Sequence, residues 1–182
     1  MTLKQWLVST MLFTSLVACG TNTPPVEDLS NTQTRAGLVH SILSASTFKC
    51  MDVANGSMAM GGLIVQFGCH GGLAQQFVLD SVVAPIVRIR NVNSNLCITP
   101  TGYRGYSTAS MQLVQSSCNT PYANFTLENR VPTSSGTTLT VTIRWAYDSA
   151  YCIDVPSGAR IDSLILQAYP CHGGLNQRWT IR

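Results

Sequence analysis

Six of the seven cysteines in this chain fall into three evenly built pairs, and no other feature restricts the fold as strongly. The members of a pair are 19, 21 and 19 residues apart: Cys50 and Cys69, Cys97 and Cys118, Cys152 and Cys171. Each first cysteine opens a short apolar stretch that ends in a turn: C-M-D-V-A-N-G, C-I-T-P-T-G and C-I-D-V-P-S-G. Each second cysteine closes another, L-I-V-Q-F-G-C, M-Q-L-V-Q-S-S-C and L-I-L-Q-A-Y-P-C, and a loop then leads to an aromatic residue. First cysteines recur after 47 residues (Cys50 to Cys97) and 55 residues (Cys97 to Cys152). A unit of this kind cannot bury its own apolar face, so the copies must close on one another. Three short-stranded, turn-rich units with almost no amphipathic helix between them predict an all-β chain, a β-trefoil.

The spacing also predicts the disulfides, one inside each repeat: Cys50–Cys69, Cys97–Cys118 and Cys152–Cys171. Such cysteine usage belongs to an oxidising compartment. In the chain-entropy view each bridge closes a loop of about 20 residues and adds roughly 3 kcal/mol. A metal centre is not expected, because no C-x-x-C occurs and each cysteine has a distant partner. Charged residues make up only 10 % of the chain and the net charge is +3, without a basic run or helix. That excludes a direct nucleic-acid binder.

The seventh cysteine lies in the N-terminal segment. Residues 1–18 read as a signal peptide: Lys4 supplies the positive end, and Trp6–Ala18 is apolar but too short to remain as a membrane span. The segment ends L-V-A-C-G, which resembles a bacterial lipobox. That resemblance implies cleavage before Cys19, palmitate or a related acyl chain on its thiol, and outer-membrane sorting, since residue 20 is glycine. The alternative is an ordinary secretory signal that happens to contain a cysteine. Residues 19–36 carry Pro24-Pro25, two acids and many hydroxyl side chains, and read as a flexible tether. The tether is either a spacer or an arm that docks on a partner, and the trefoil domain spans 37–182.

Along the domain, Gly37–Leu43 is strand-like, and repeats two and three open on Val87–Val92 and Val141–Ala146, each containing I-R. Val131–Gly136 reads as the loop that lengthens the second period. Tyr103 and Tyr106 are not required by the repeat, and either form a surface aromatic patch or fold over the core.

Catalytic chemistry finds no support, and no cofactor is expected. His70 and His172 occupy equivalent C-H-G-G turns, no serine or cysteine sits in a nucleophile motif, and Asp52 and Asp154 are related by the repeat rather than paired across a site. Sugar binding is better served. Repeat three gathers Asp154, Gln167, Tyr169, Asn176 and Gln177. A carboxylate accepts from vicinal hydroxyls, amides donate and accept, and an aromatic face covers the C–H side of a sugar ring. Strand alternation puts Gln167 and Tyr169 on one face.

The run D-V…Q-A-Y-P-C…N-Q-R-W resembles the ricin-type (ricin B-like, R-type) lectin repeat with its Q-x-W ending. The resemblance implies that Asp154 holds sugar hydroxyls, Tyr169 stacks on the ring, and Asn176 completes the hydrogen bonds with Gln177 behind it. Gln167 supports the site and Trp179 is core. Repeat one keeps Asp52, Phe67 and Gln75 as a weaker second site. Ala74 replaces the asparagine there, and Gln66 falls on the other parity. Repeat two has Thr99, Ser116 and Ala123 and reads as inactive. The alternative is that the Q-x-W residues only hold the trefoil together.

Signal, tether and a single degenerate trefoil together resemble the C subunits of the cytolethal distending toxin family; the A subunits share the lectin domain but usually carry a longer N-terminal region. The resemblance implies a non-catalytic subunit in a heterotrimer, in which an A-type lectin subunit and this one bind host cell-surface glycans and deliver a DNase I-like B subunit. It also implies an outer-membrane lipoprotein released with the toxin. No tyrosine has Lys or Arg in the window of a cholesterol motif. A free-standing surface R-type lectin and a carbohydrate-binding accessory module remain the alternatives.

Overall fold

Each repeat lays down four strand positions, and the alternation of apolar residues along them determines which face turns inward. In the computed structural model, which describes residues 37–103, 109–132 and 139–182, repeat one contributes β2 (Ile42–Ser44), β3 (Cys50–Val53), β4 (Ile64–Phe67) and β5 (Phe77–Val83), preceded by β1 (Val39–His40). Repeat two contributes β6 (Ile86–Asn91), β7 (Cys97–Pro100), β8 (Met111–Ser116) and β9 (Asn124–Pro132). Repeat three contributes β10 (Leu139–Trp145), β11 (Tyr151–Asp154), β12 (Leu164–Ile165), β13 (Gln167–Pro170) and β14 (Arg178–Ile181). The signal segment, Cys19, the tether and Tyr106 lie outside the described residues.

All pairings are antiparallel. The outer strands close a ring: β1 pairs β5, β5 pairs β6, β6 pairs β9, β9 pairs β10, β10 pairs β14, and β14 returns to β2. Closure removes the open sheet edge that would otherwise invite pairing with another chain. The inner hairpins β3–β4, β7–β8 and β11–β13 form a cap, tied together where β12 pairs β4 and β13 pairs β8. This is the β-trefoil expected from the repeat. One boundary differs: Val131 and Pro132 continue β9, opposite Thr140 and Leu139, rather than starting the loop. Proline is tolerated there because it is the last residue of the strand.

The core repeats in layers of three. Met51, Ile98 and Ile153 follow the first cysteines, Ile64, Leu113 and Leu166 precede the second, and Phe77, Phe125 and Trp179 open or lie on the closing strands; all are buried. Trp179 also donates its Nε1–H to the Ile153 carbonyl at 2.9 Å, so its one polar atom is satisfied inside. The disulfides are Cys50–Cys69, Cys97–Cys118 and Cys152–Cys171, with Cα–Cα distances of 5.1, 4.9 and 5.1 Å, and each staples the base of one inner hairpin.

Two buried glutamines lash repeats to one another. Gln66 donates to the carbonyls of Ala159 and Ile161 and accepts from Thr47 Oγ1. Gln115 donates to Ser57 and Ala59 and accepts from Ser94 Oγ. The corresponding position in repeat three is Ala168, which has no amide to offer.

Trp179→Ala removes a fully buried side chain that neighbouring repeats share. Urea unfolding should show one cooperative transition with stability lowered by about 3–5 kcal/mol; a loss below about 1 kcal/mol would show that the closing aromatics do not hold the threefold together.

Candidate functional site

Hairpin register determines what stands beside each carboxylate. Asp154 on β11 lies directly opposite Gln167 on β13, Asp52 on β3 opposite Val65 on β4, and Thr99 on β7 opposite Val114 on β8. Directly opposed side chains on one face are within contact distance.

In repeat three the expected residues converge. Asp154 is 1 % exposed. Its Oδ1 accepts from Gln167 Nε2 at 2.8 Å, and its Oδ2 accepts from Asn176 Nδ2 at 2.8 Å. Asn176 is carried on a short 3-10 turn, Leu175–Gln177. Gln177, fully buried behind it, accepts from the backbone N–H groups of His172 (2.8 Å) and Gly173 (3.3 Å) and donates to the Pro170 carbonyl. It therefore fixes the loop that carries the site. Gly173 has φ +75°, a conformation that side chains with a Cβ rarely adopt, which accounts for the H-G-G sequence.

His172 belongs to the site as well. Its Nδ1 accepts the Gly174 N–H at 3.2 Å, which leaves the proton of the neutral ring on Nε2, and that atom lies 3.4 Å from Asp154 Oδ2. Tyr169, 39 % exposed, stands edge-on to His172 with ring centroids 6.1 Å apart. Asp154, Ser157, Gln167, Tyr169, His172 and Asn176 line a cavity of about 340 Å³. Burial pushes the Asp154 carboxyl above the usual carboxylate range, and the hydrogen bonds to its oxygens, that of Gln167 foremost, pull it part of the way back.

Repeat one has the same frame with two walls changed. Asp52 Oδ2 accepts from Gln75 Nε2 at 2.8 Å and lies 3.2 Å from His70 Nε2. Gln75, buried, takes the N–H groups of His70 and Gly71, as Gln177 does for its own loop. Phe67, 38 % exposed, stands edge-on to His70 at 6.0 Å. Gln66 is turned inward and serves the scaffold.

Repeat two retains no carboxylate, and its loop is one residue shorter: Cys118 to Phe125 is seven residues against eight from Cys171 to Trp179. Counting from the cysteine matches Ala123 to Asn176, but the fold corrects that match. Ala123 is buried in its 3-10 turn where Gln75 and Gln177 are buried in theirs, so Tyr122 takes the place of Asn176. Tyr103 packs edge-on against Trp145 at 5.1 Å and donates to Asp148 Oδ2, so it covers core. Tyr122 and Tyr147 are the exposed aromatics of this side, at 41 % and 47 %.

The histidines are the residues that sequence reasoning set aside. C-H-G-G is a turn, as its repetition suggests, and the same turn brings each ring to a carboxylate. Among the described residues no group of three or more His, Cys, Asp or Glu side chains converges as a metal site.

Residues 28–116 match the family model described as ricin-type beta-trefoil lectin domain-like. Among solved structures, a designed threefold-symmetric protein, ThreeFoil, is 20 % identical, with 79 % of this chain and 96 % of that chain covered and a TM-score of 0.65. The earthworm R-type lectin C-half in complex with GalNAc is 18 % identical over 79 % of this chain and 97 % of that one, with a TM-score of 0.61. The Macrolepiota procera ricin B-like lectin in complex with lactose is 17 % identical over 82 % and 98 %, with a TM-score of 0.59. No curated protein matches the chain. The family model covers 89 of the 182 residues, and the solved structures share the β-trefoil fold.

A carboxyl whose charged form is opposed by burial is most favourable to the fold when protonated, and that contribution declines as pH rises through its raised pKa. In a ¹³C carboxyl NMR titration Asp154 should take up its proton above about pH 3.9, the ordinary aspartate value. Gln167→Leu, which deletes a hydrogen bond to the anion, should move the midpoint further up; an unmoved or lowered midpoint would contradict the reading of this site.

Proposed function

We propose that this chain, on the support of a ricin-type β-trefoil fold, is a glycan-binding protein that acts without catalysing a reaction, and that repeat three carries its principal polar site. One observation carries the reading: a buried carboxylate, two amides, a histidine and a half-exposed tyrosine converge on one cavity. Asp154 accepts from a sugar hydroxyl at Oδ1, which keeps a lone pair beyond its bond from Gln167, while Oδ2 already faces Asn176 and His172. Asn176 and Gln167 orient that carboxylate, and Tyr169 offers its face to the apolar side of the ring. Galactose-type sugars are the natural first probes, because two lectins of this fold hold GalNAc and lactose.

We further infer that the lectin works as the delivery subunit of a tripartite genotoxin, anchored through acylated Cys19 at the outer membrane, with a second lectin-like subunit and a DNase I-like subunit as partners. What favours a subunit over a free-standing lectin is the aromatic surface of Tyr122 and Tyr147, rings 4.6 Å apart, on a side whose repeat has lost its sugar-binding carboxylate. Exposed aromatic surface of that kind marks interfaces.

Asp154→Ala removes a charged acceptor, whose hydrogen bond is worth about 1.5–3 kcal/mol. Affinity for immobilised lactose or GalNAc should fall by about one to two orders of magnitude. Tyr169→Ala should cost a similar amount and Thr99→Ala nothing. Wild-type binding by Asp154→Ala would reduce repeat three to scaffold. For the anchor, Cys19→Ser should abolish palmitate labelling and release the protein from the membrane fraction; labelling that survives the change would end the lipoprotein reading. Pull-down of the mature protein should recover the two partner subunits stoichiometrically, and Tyr122→Ala with Tyr147→Ala should weaken that recovery; a chain that purifies alone from its native source is a free-standing lectin.

A further inference from the structure

Repeat one, the degenerate copy of the site by sequence, has about twice the cavity of repeat three: about 700 Å³ against about 340 Å³. The cause is local and chemical. Where repeat three has Gln167 opposite its carboxylate and Asn176 on its 3-10 turn, repeat one has Val65 and Ala74. Both changes remove a side chain that reaches over the carboxylate, and both replace an amide with hydrocarbon. The cavity then runs past its own repeat to Leu63 and, across the β4–β12 pairing, to Ile165 of repeat three.

The same exchange frees an acceptor. Asp154 has both oxygens bonded by amides, whereas Asp52 has only Oδ2 engaged, by Gln75 and His70. Asp52 Oδ1 accepts from no described residue, although the side chain is only 7 % exposed. Since no side-chain polar atom is both buried and unpartnered among the described residues, this oxygen is the part of Asp52 that the cavity reaches, open to a donor from a ligand or water. Phe67, half-exposed, stands at the mouth as Tyr169 does in repeat three.

We propose that repeat one is a second site of different specificity, which binds glycosides carrying an apolar substituent. A sugar hydroxyl donates to Asp52 Oδ1, Phe67 covers the ring, and an aryl or acyl group lies against Val65, Ala74, Leu63 and Ile165. The proposal rests on the lectin reading and names the ligand class of its second site. Repeat three, walled by amides, reads the sugar alone; repeat one reads the sugar together with what is attached to it.

The test uses the mature protein with repeat three silenced by Asp154→Ala, titrated calorimetrically with methyl β-galactoside and phenyl β-galactoside. The phenyl glycoside should bind at least roughly tenfold more tightly, from burial of its ring. Adding Val65→Gln and Ala74→Asn, which rebuild the walls of repeat three, should remove that preference, and Asp52→Ala should remove binding of both glycosides. Ala74→Asn alone, at a half-buried turn position, provides the same reading should the double change fail to melt cooperatively. Equal affinity for the two glycosides, or a preference that survives the rebuilt walls, overturns the proposal. If wild type binds methyl β-galactoside while the Asp154→Ala protein binds neither glycoside, this inference falls and the lectin reading stands. If wild type also binds neither them nor lactose or GalNAc, the lectin reading itself has failed.

Discussion

No repeat of this chain has enough apolar surface to fold on its own, and the structure rests on the mutual burial that this forces. Layers of three equivalent side chains, Phe77, Phe125 and Trp179 among them, meet in the interior, so each repeat supplies a third of every other repeat's core. Closure of the outer ring follows through the first stretch of the domain, where β1 pairs β5 and the adjoining β2 pairs β14. The disulfides act within this frame rather than creating it: each spans one inner hairpin and none joins two repeats. Links between repeats are made by packing, by the strand pairings of the ring and the cap, and by the amides of Gln66 and Gln115, which satisfy loop carbonyls of a neighbouring repeat.

Function sits where the frame leaves freedom. The position after each core residue Met51, Ile98 and Ile153 points away from the interior into the hairpin's own cavity, and there the repeats diverge to Asp52, Thr99 and Asp154. The buried glutamines behind the site, Gln75 and Gln177, are kept because they hold a glycine-containing loop in its turned conformation and so serve fold and site together. The residues facing the cavity carry no such double duty. Exchanging Gln167 for Val65 and Asn176 for Ala74 leaves the hairpin unchanged while altering volume, polarity and the satisfaction of the carboxylate.

The fold was almost wholly legible in the sequence, because cysteine spacing and apolar alternation are the same physical facts that produce the layers. Strand limits were less so: Val131 and Pro132 join β9 through pairing with Thr140 and Leu139, partners that no local pattern identifies. At the site, Asp154, Gln167, Tyr169 and Asn176 could be gathered from parity and spacing. The roles of His70 and His172 could not, since a C-H-G-G turn gives no sign that its ring reaches back to a carboxylate 18 residues earlier in the chain. Repeat two misled for a related reason. Counting from Cys118 hides the missing loop residue, and only the buried 3-10 turn reveals that Tyr122, not Ala123, occupies the place of Asn176.

The central claim is that a buried carboxylate flanked by amides reads sugar hydroxyls in repeat three. It is tested most directly by following the side-chain NH₂ resonances of Gln167 and Asn176 by ¹⁵N NMR while the mature protein is titrated with lactose and, separately, GalNAc. The account predicts saturable shifts of both amides at one common affinity, with the backbone signals of Thr99 and Tyr122 unmoved. Amides of Gln167 and Asn176 that stay fixed at saturating concentrations of both sugars, or shifts confined to Tyr122 and Tyr147, would contradict it.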